Sequence, residues 1–586
     1  MGLLAACFGL ALAPQAPAGE VEFPGWNVIV IVLDDLGIDK LSFYAPELDP
    51  SGPTPECGVI PPPGRKAFPC TPTLQRLRDE GVLFTNAYTH PSCTPTRAAI
   101  LTGRYPNRTG MGVALNDALI CGDGVPCDGP ESLADEEIFL PELLRDAPEA
   151  SAYEIARGAF GKWHLSYVLG DECHAVRNGF EIFQGNMGNG NQSQVGPDHF
   201  DWMDTTSIVA PDGGCQLITV ERTANIRTCF DNNTWDAAVT RRRARRWIEA
   251  QIAARRPYFA YVSFNPPHSV QQVPPVCLLS DERLAALDAL GLATTGAVPT
   301  SSEIGTLDER RLAIYDATVE ALDRQIELLL EGLEDTMVFV IGDNGTPDSF
   351  TDIPPSPFPS CRGKRTVYQL GVRVPLIVSG PVISPGDRGS TSDGLVDSVD
   401  LWRTAANLLG VSDREINAFL ETQENPPKID SRSFLPLLID PMGPSARRRS
   451  YAEVFFPNSG GTLPFEPVTW LRMATDGQYK LVRKVFDVEW IDGQPQGGTV
   501  VEELFHIAVD PWETNPICAP APSPRACESS CPPPACYAPS NPSCGDRTCS
   551  DPELCCGQPC PPPPGHPASL AYRRLRRHLE AVAASR

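Results

Sequence analysis

Three carboxylates and one amide stand in two short polar groups, each closing a run of apolar residues. Asp34-Asp35 follows NVIVIVL, and Asp343-Asn344 sits in Gly342-Asp343-Asn344-Gly345 after TMVFVI. A third run, YFAYVSF, leads into Asn265-Pro266-Pro267-His268. Two carboxylates held about 4 Å apart repel by roughly 4 kcal/mol at an effective dielectric of about 20, so a site gathering Asp34, Asp35 and Asp343 needs a cation or shared protons. With Asn344 added the donors are all oxygens, which suits Ca²⁺, and Mg²⁺ after it, rather than zinc. A lone Asp-Asp pair is commonly a turn or a helix cap. Its position directly behind a buried run argues for a site instead.

Gly161-Lys162-Trp163-His164 sets a cation and a general base two residues apart, and in an extended segment alternation sends both to one face. Lys162 suits an anion, and His164 and His268 can carry protons. Each also has a plainer reading, as a solvated loop lysine or as histidines packed beside their neighbours. The remaining candidate is Cys93, which opens CTPTRAAILTGRYP at the mouth of a helical pattern.

The elements that must position these residues are legible as periodicity. NVIVIVL (Asn27 to Leu33), YFAYVSF (Tyr258 to Phe264) and TMVFVI (Thr336 to Ile341) are predicted as buried parallel strands, and VPLIVSG (Val374 to Gly380) as a fourth. Helical patterns precede two of them, from Trp235 to Arg255 and from Leu312 to Glu334. Strands alternating with helices predict an α/β fold, a large doubly wound, mostly parallel sheet with helices on both faces. Polar groups at the carboxyl ends of such strands converge where these folds bind ligands. From Trp470 the pattern shortens to alternating segments such as QYKLVRKVF and TVVEELFHI, predicting a small antiparallel sheet. A Cys/Pro-rich stretch follows, with too few large apolar residues to build a core, and it must rely on disulfides. The expected organisation is a leader over 1–18, a main domain over 26–450, a small antiparallel unit over 451–516, the Cys/Pro-rich insertion over 517–567 and a terminal helix over 568–586.

The formal charge of −25 excludes nucleic acid as a partner, because phosphate contacts need a surplus of lysine and arginine. An anionic substrate would need a locally positive receptor, since the global field repels it. The opening MGLLAACFGLALAPQAPAGE ends its apolar run in the small-x-small pattern of a signal-peptidase site, without the usual basic flank. Leu4-Ala5-Ala6-Cys7 also matches a lipobox. Both readings predict export, to the periplasm, the medium or a lipid anchor at the cell envelope. No later apolar run approaches the roughly 20 residues of a membrane span. Setting Cys7 and Cys93 aside leaves an even number of the 20 cysteines, nine of them between Cys518 and Cys560 without Cys-x-x-Cys spacing, which favours disulfides over zinc. The basic run TRRRARRWIEAQIAARR from Thr240 is expected to form a surface helix with a solvated arginine face.

CTPTR followed by AAILTGRYP resembles the sulfatase motif Cys-x-Pro-x-Arg, matched at Cys93, Pro95 and Arg97, with Thr96 at the usual serine position. TPTLQRLRDEGVLFTNAYTHPSCTPTR, GKWHL, FNPPH and VIGDNG resemble further family motifs in the family's order. GKRTVYQLGVRVPLIV is similar to its lysine-bearing block, which places Lys364 in the site, and ELFHIAVDPWETNP resembles its C-terminal sheet. The likeness runs from about Trp26 to Asn515, plus the last helix. The family often has Glu-Gly where this chain has Gln369-Leu370, a difference expected at the substrate rim.

The resemblance implies an alkaline phosphatase-like fold and hydrolysis of aryl or carbohydrate sulfate esters. It implies that a formylglycine-generating enzyme oxidises Cys93, and that the hydrated aldehyde sits on Ca²⁺ with Asp34, Asp35, Asp343 and Asn344. One hydroxyl attacks sulfur, His268 protonates the departing alcohol, and the second hydroxyl collapses with His164 as base. Lys162 and Lys364 neutralise the sulfate oxygens, and Arg97 holds the diol. Two alternatives are a formylglycine-dependent phosphonate monoester or phosphodiester hydrolase and a non-catalytic carbohydrate-binding relative.

Overall fold

The computed structural model describes residues 25–45, 68–115, 132–166, 171–189, 199–229, 232–269, 271–292, 309–351, 362–458, 467–491, 494–517 and 568–584. The expected leader and the cysteines from Cys518 to Cys560 lie outside these residues.

NVIVIVL forms the central Asn27–Leu33 strand. Its alternation divides a continuous apolar run between two cores: Val28, Val30 and Val32 enter one, Ile29, Ile31 and Leu33 the other. Burying a side chain of this size stabilises by about 1.5–3 kcal/mol, so a strand apolar on both faces belongs in the middle of a layered sheet. Ile31→Ala, at a fully buried position, is expected to lower unfolding free energy by about 2–5 kcal/mol in urea denaturation.

Ten strands form the large sheet. Its middle is parallel: Thr336–Gly342, Asn27–Leu33, Tyr258–Phe264, Ala156–Lys162 and Ile182–Asn186 lie side by side in that order. The Met203–Val209 and Cys215–Arg222 hairpin extends one edge in antiparallel fashion. On the other side the VPLIVSG run differs from expectation. Its Leu376–Ser379 strand pairs antiparallel with Thr336–Gly342 and with Gly81–Phe84. Among the described residues between Thr336–Gly342 and this strand there is no long crossover helix, and parallel pairing needs such a crossover.

Helices Cys93–Thr102, Leu140–Asp146, Asp400–Leu408 and Asp413–Glu421 cover one face, and Pro72–Asp79, Asp236–Ala253 and Glu309–Leu330 the other. The arginine face of Asp236–Ala253 is not the solvated one expected. Arg243 pairs with Asp204, Arg242 donates to the Asn233 carbonyl at 2.6 Å and Arg241 to Gln325 at 3.2 Å. The edge hairpin, the segment just before the helix and the Glu309–Leu330 helix supply these partners. A separate four-stranded antiparallel sheet joins Ser450–Phe456, Thr469–Thr475, Lys480–Ile491 and Gln494–Phe505, with Ala568–Ala584 packed on it. Disulfides join Cys173 to Cys215 and Cys229 to Cys277, and Cys70 is also disulfide-bonded; Cys93 is the free cysteine among the described residues.

Candidate active site

Strand register brings the polar groups to one level. Leu33 lies opposite both Phe264 and Gly342, so Asp34, Asn265 and Asp343 leave the sheet side by side. Asp35 then turns into the left-handed region at φ 65°, which non-glycine residues rarely adopt. That turn is held by the Asp35 amide donating to Asp343 Oδ1 at 3.1 Å and by Tyr315 Oη donating to the Asp35 carbonyl at 2.6 Å. Gly345 is required here, because a Cβ would lie 1.6 Å from the Leu370 carbonyl oxygen.

Lys162 and His164 reach the same site by a route other than strand alternation. The strand ends at Lys162, and His164 adopts φ 57°. A Cβ on Gly161 would meet the Ser263 carbonyl oxygen at 2.0 Å, which lets the neighbouring strand press close. Thr94 Oγ1 donates to the His164 carbonyl at 2.9 Å, fixing the turn against the cysteine helix. Both ring nitrogens of His164 are buried without a hydrogen-bond partner. Burial, with Lys162 and Arg97 nearby, holds this imidazole well below its usual pKa and therefore neutral.

Cys93 is the first residue of the Cys93–Thr102 helix, which Gly103 ends in a left-handed cap. Its Sγ lies 3.4 Å from Asp34 Oδ1 and 3.4 Å from Lys364 Nζ. Burial and the Asp34 charge push this thiol well above its usual pKa, the opposite of what an activated cysteine nucleophile needs. Lys364 Nζ also pairs with Asp35 Oδ1 at 2.6 Å, and Lys162 Nζ with Asp34 Oδ2. Arg97, fully buried, sends Nη2 to Asp343 at 2.9 Å and Asp34 at 3.3 Å, and Nη1 to Ser263 Oγ and to the Lys162 carbonyl at 3.0 Å. Its hydrogen bonds therefore brace the carboxylates. Thr96 Oγ1 exchanges hydrogen bonds with the His90 backbone at 3.0 and 3.1 Å, a role a serine hydroxyl could equally fill.

Three acids thus meet three bases in a nearly dry cage. Burial raises the Asp34 carboxyl, but Lys162 and its neighbours pull it well below the usual range, whereas burial and Asp34 push Asp343 up to about 7. The cage has one open side: His268 and Lys364 keep 13% and 12% of their side chains exposed, against 0% for Arg97, Lys162, Asp34 and Asp343. Among the described residues, the exposed side of the cage is therefore that of His268 and Lys364. His268 Nδ1 lies 2.9 Å from the Ser269 carbonyl, leaving Nε2 turned to the cleft 3.8 Å from Asp35.

The side chains at the centre of the cage are close enough together to hold a cation. Ligand atoms of Asp34, Asp35, Cys93 and His268 lie within 4.8 Å of one another. Asn344, whose Nδ2 donates to Asp35 at 2.8 Å, keeps Oδ1 buried without a hydrogen-bond partner. An orphaned amide oxygen among carboxylates is what an oxygen-coordinated ion satisfies.

One expectation is changed. Gln369 and Leu370 do not form a substrate rim: both are buried, Gln369 facing Lys480 at 3.4 Å and Leu370 in the core beside the sheet. Sequence reasoning also missed Ser263 and the residues behind His268. Ser263 was legible, as the lone aliphatic hydroxyl near the end of an otherwise apolar and aromatic strand. His199, whose Nε2 lies 3.0 Å from the His268 carbonyl, carried no such signal.

An alkaline phosphatase-like α/β fold with a carboxylate cluster and two lysines at its carboxyl edge defines a hydrolase of anionic esters. The sulfatase family model matches residues 26–411. The N-acetylgalactosamine-6-sulfatase of Canis lupus familiaris is 26% identical over 556 residues, covering 88% of this chain and 84% of that protein. Among solved structures, Ps i-CgsB in complex with k-i-k-neocarrahexaose superposes with a TM-score of 0.54 at 21% identity, covering 84% of this chain and 88% of that one. A structure in complex with its substrate D-glucosamine-2-N,6-O-disulfate gives 0.51 at 17% identity, covering 84% and 93%. These likenesses show the fold. The chain belongs to the sulfatase family, the sulfuric ester hydrolases.

Proposed function

We propose that the protein hydrolyses the sulfate ester of a saccharide, with Cys93 as the precursor of a formylglycine. The observation that carries this reading is Cys93 itself, a buried, unpaired cysteine at a helix N-terminus, 3.4 Å from both an acid and a lysine. Formylglycine would supply a hydroxyl nucleophile, and a Ca²⁺ held by Asp34, Asp35, Asp343 and Asn344 would acidify it. Lys162 and Lys364 bind the sulfate oxygens and take up the charge that develops there. Arg97 fixes the two carboxylates, and the positive end of the Cys93–Thr102 helix adds to the same field. His268, at the open side, protonates the leaving oxygen from Nε2; His164, buried and neutral, accepts a proton at the closed side. Burial first, then Lys162 and Lys364, hold His268 down to about 3; an anion bound between those lysines offsets only their share of the shift. The saccharide is favoured by the N-acetylgalactosamine-6-sulfatase relative and by the sugar ligands of the two neighbouring structures.

Mass spectrometry of the tryptic peptide containing Cys93, from protein made together with a formylglycine-generating enzyme, tests the reading. Replacement of the thiol by an aldehyde, with activity proportional to the converted fraction, is the expected result; fully active protein with an intact thiol would refute it. Turnover of nitrophenyl sulfate should also exceed that of nitrophenyl phosphodiesters, and the reverse preference would favour the diesterase alternative.

A further inference from the structure

Lys364 sits in a loop with little regular structure of its own, yet it must hold its ammonium between Asp35 and Cys93. We propose that the four-stranded C-terminal sheet positions Lys364, through the buried Glu513–Lys480 pair and the Tyr368 hydroxyl. The inference rests on the reading of Lys364 as a sulfate ligand.

The loop is anchored on both sides of the lysine. Before it, Arg362 Nη1 donates to the Glu513 carbonyl, and its guanidinium lies 4.2 Å from the Tyr368 ring and 5.8 Å from that of Phe505. After it, the Gln369 amide, at the start of a short helical turn, donates to Glu513 Oε2 at 2.6 Å. Glu513 therefore grips the segment twice, once by its backbone and once by its side chain, with Lys364 between the two grips. The carboxylate is fixed in turn by Lys480 Nζ at 2.8 Å, and neither side chain of that pair is more than 1% exposed. Glu513 itself is held at φ 58°.

A second tie runs through Tyr368, whose hydroxyl donates to Glu503 at 2.6 Å and accepts from Lys484 at 2.8 Å. Lys480, Lys484, Glu503 and Phe505 all belong to the paired strands Lys480–Ile491 and Gln494–Phe505. On the catalytic side the Asp348 carboxylate accepts from Gly363 N at 2.8 Å, and backbone contacts set the height of the loop: Lys364 N to the Thr346 carbonyl at 3.1 Å and Arg365 N to the Pro91 carbonyl at 2.7 Å, with Arg365 at φ 72°. A buried ion pair is a costly way to hold a loop against a strand, since desolvation offsets most of its attraction. It is effective at fixing one geometry, as the lysine requires.

A double-mutant cycle separates positioning from general support. Wild type, Lys364→Ala, Glu513→Ala and the double variant would be compared as full-length converted enzyme, reading kcat/KM on nitrophenyl sulfate alongside thermal unfolding. Glu513→Ala is expected to lower kcat/KM by about 10–100-fold, the order expected for a displacement of about 1 Å. In the Lys364→Ala background it should lower kcat/KM by less than about 2-fold, because the group it positions is gone. Equal losses in both backgrounds would overturn the inference and leave Glu513 a structural residue. Should Glu513→Ala not fold, Tyr368→Phe serves in the same cycle, with a smaller loss that again disappears without Lys364. Unchanged turnover in Lys364→Ala would instead remove the sulfate-ligand reading itself, a result distinct from equal losses.

Discussion

Cys93→Ala is expected to abolish turnover of nitrophenyl sulfate, a fall on the order of 10⁴–10⁶-fold of the kind seen when a hydrolase loses its nucleophile. The same variant should keep its fold and still bind Ca²⁺. Cys93 forms no disulfide, alanine is the best helix former for the first turn of Cys93–Thr102, and Asp34, Asp35, Asp343 and Asn344 are left in place. Isothermal titration with Ca²⁺ and a kinetic assay on the same preparation would check both halves. Retained activity above about 1% of wild type would be incompatible with position 93 supplying the nucleophile.

Arg97→Met is expected to be the most destabilising single change in the site. Arg97 is fully buried and is the common counter-ion of Asp34 and Asp343. Breaking a buried pair by removing one partner costs about 3–5 kcal/mol, because a charge is left uncompensated. Arg97→Lys should recover only a small part of this, since a single ammonium cannot reach two carboxylates, Ser263 and the Lys162 carbonyl at once. Urea denaturation of Arg97→Met beside Arg97→Met/Asp343→Asn makes the test specific. The second change removes one stranded carboxylate and should restore stability; a further loss from it would show that Arg97 is not holding that charge.

Much of this arrangement was legible before any coordinates because both of its causes are local. An apolar run such as NVIVIVL can only be buried on both faces, and polar residues directly after such runs must emerge together once the strands align. Asp34, Asp343 and His268 were found by that logic. What could not be read depends on partners far away in the chain. The antiparallel sense of Leu376–Ser379 follows from the length and path of a connection, not from the strand's own residues. His164 joins the site through a left-handed turn, whereas its spacing from Lys162 suggested simple alternation. Gln369 looked like a rim position because its motif neighbours line the site. It is instead turned toward Lys480, a residue 111 positions later.

The burial of the CTPTR segment sets an order of events in the life of the molecule. Cys93, Thr94, Pro95, Thr96 and Arg97 are all enclosed, the cysteine at 1% exposure, so a modifying enzyme has no face of the folded chain to grasp. On the reading proposed above, the aldehyde must be made while the chain is still being synthesised or threaded, before the ten-stranded sheet closes and before Cys173–Cys215 and Cys229–Cys277 lock. Each copy then has a single window for maturation, and a copy that misses it is folded and permanently inert. Cells that produce the chain faster than they modify it would accumulate such copies, and no later treatment of the purified protein with the modifying enzyme should recover them.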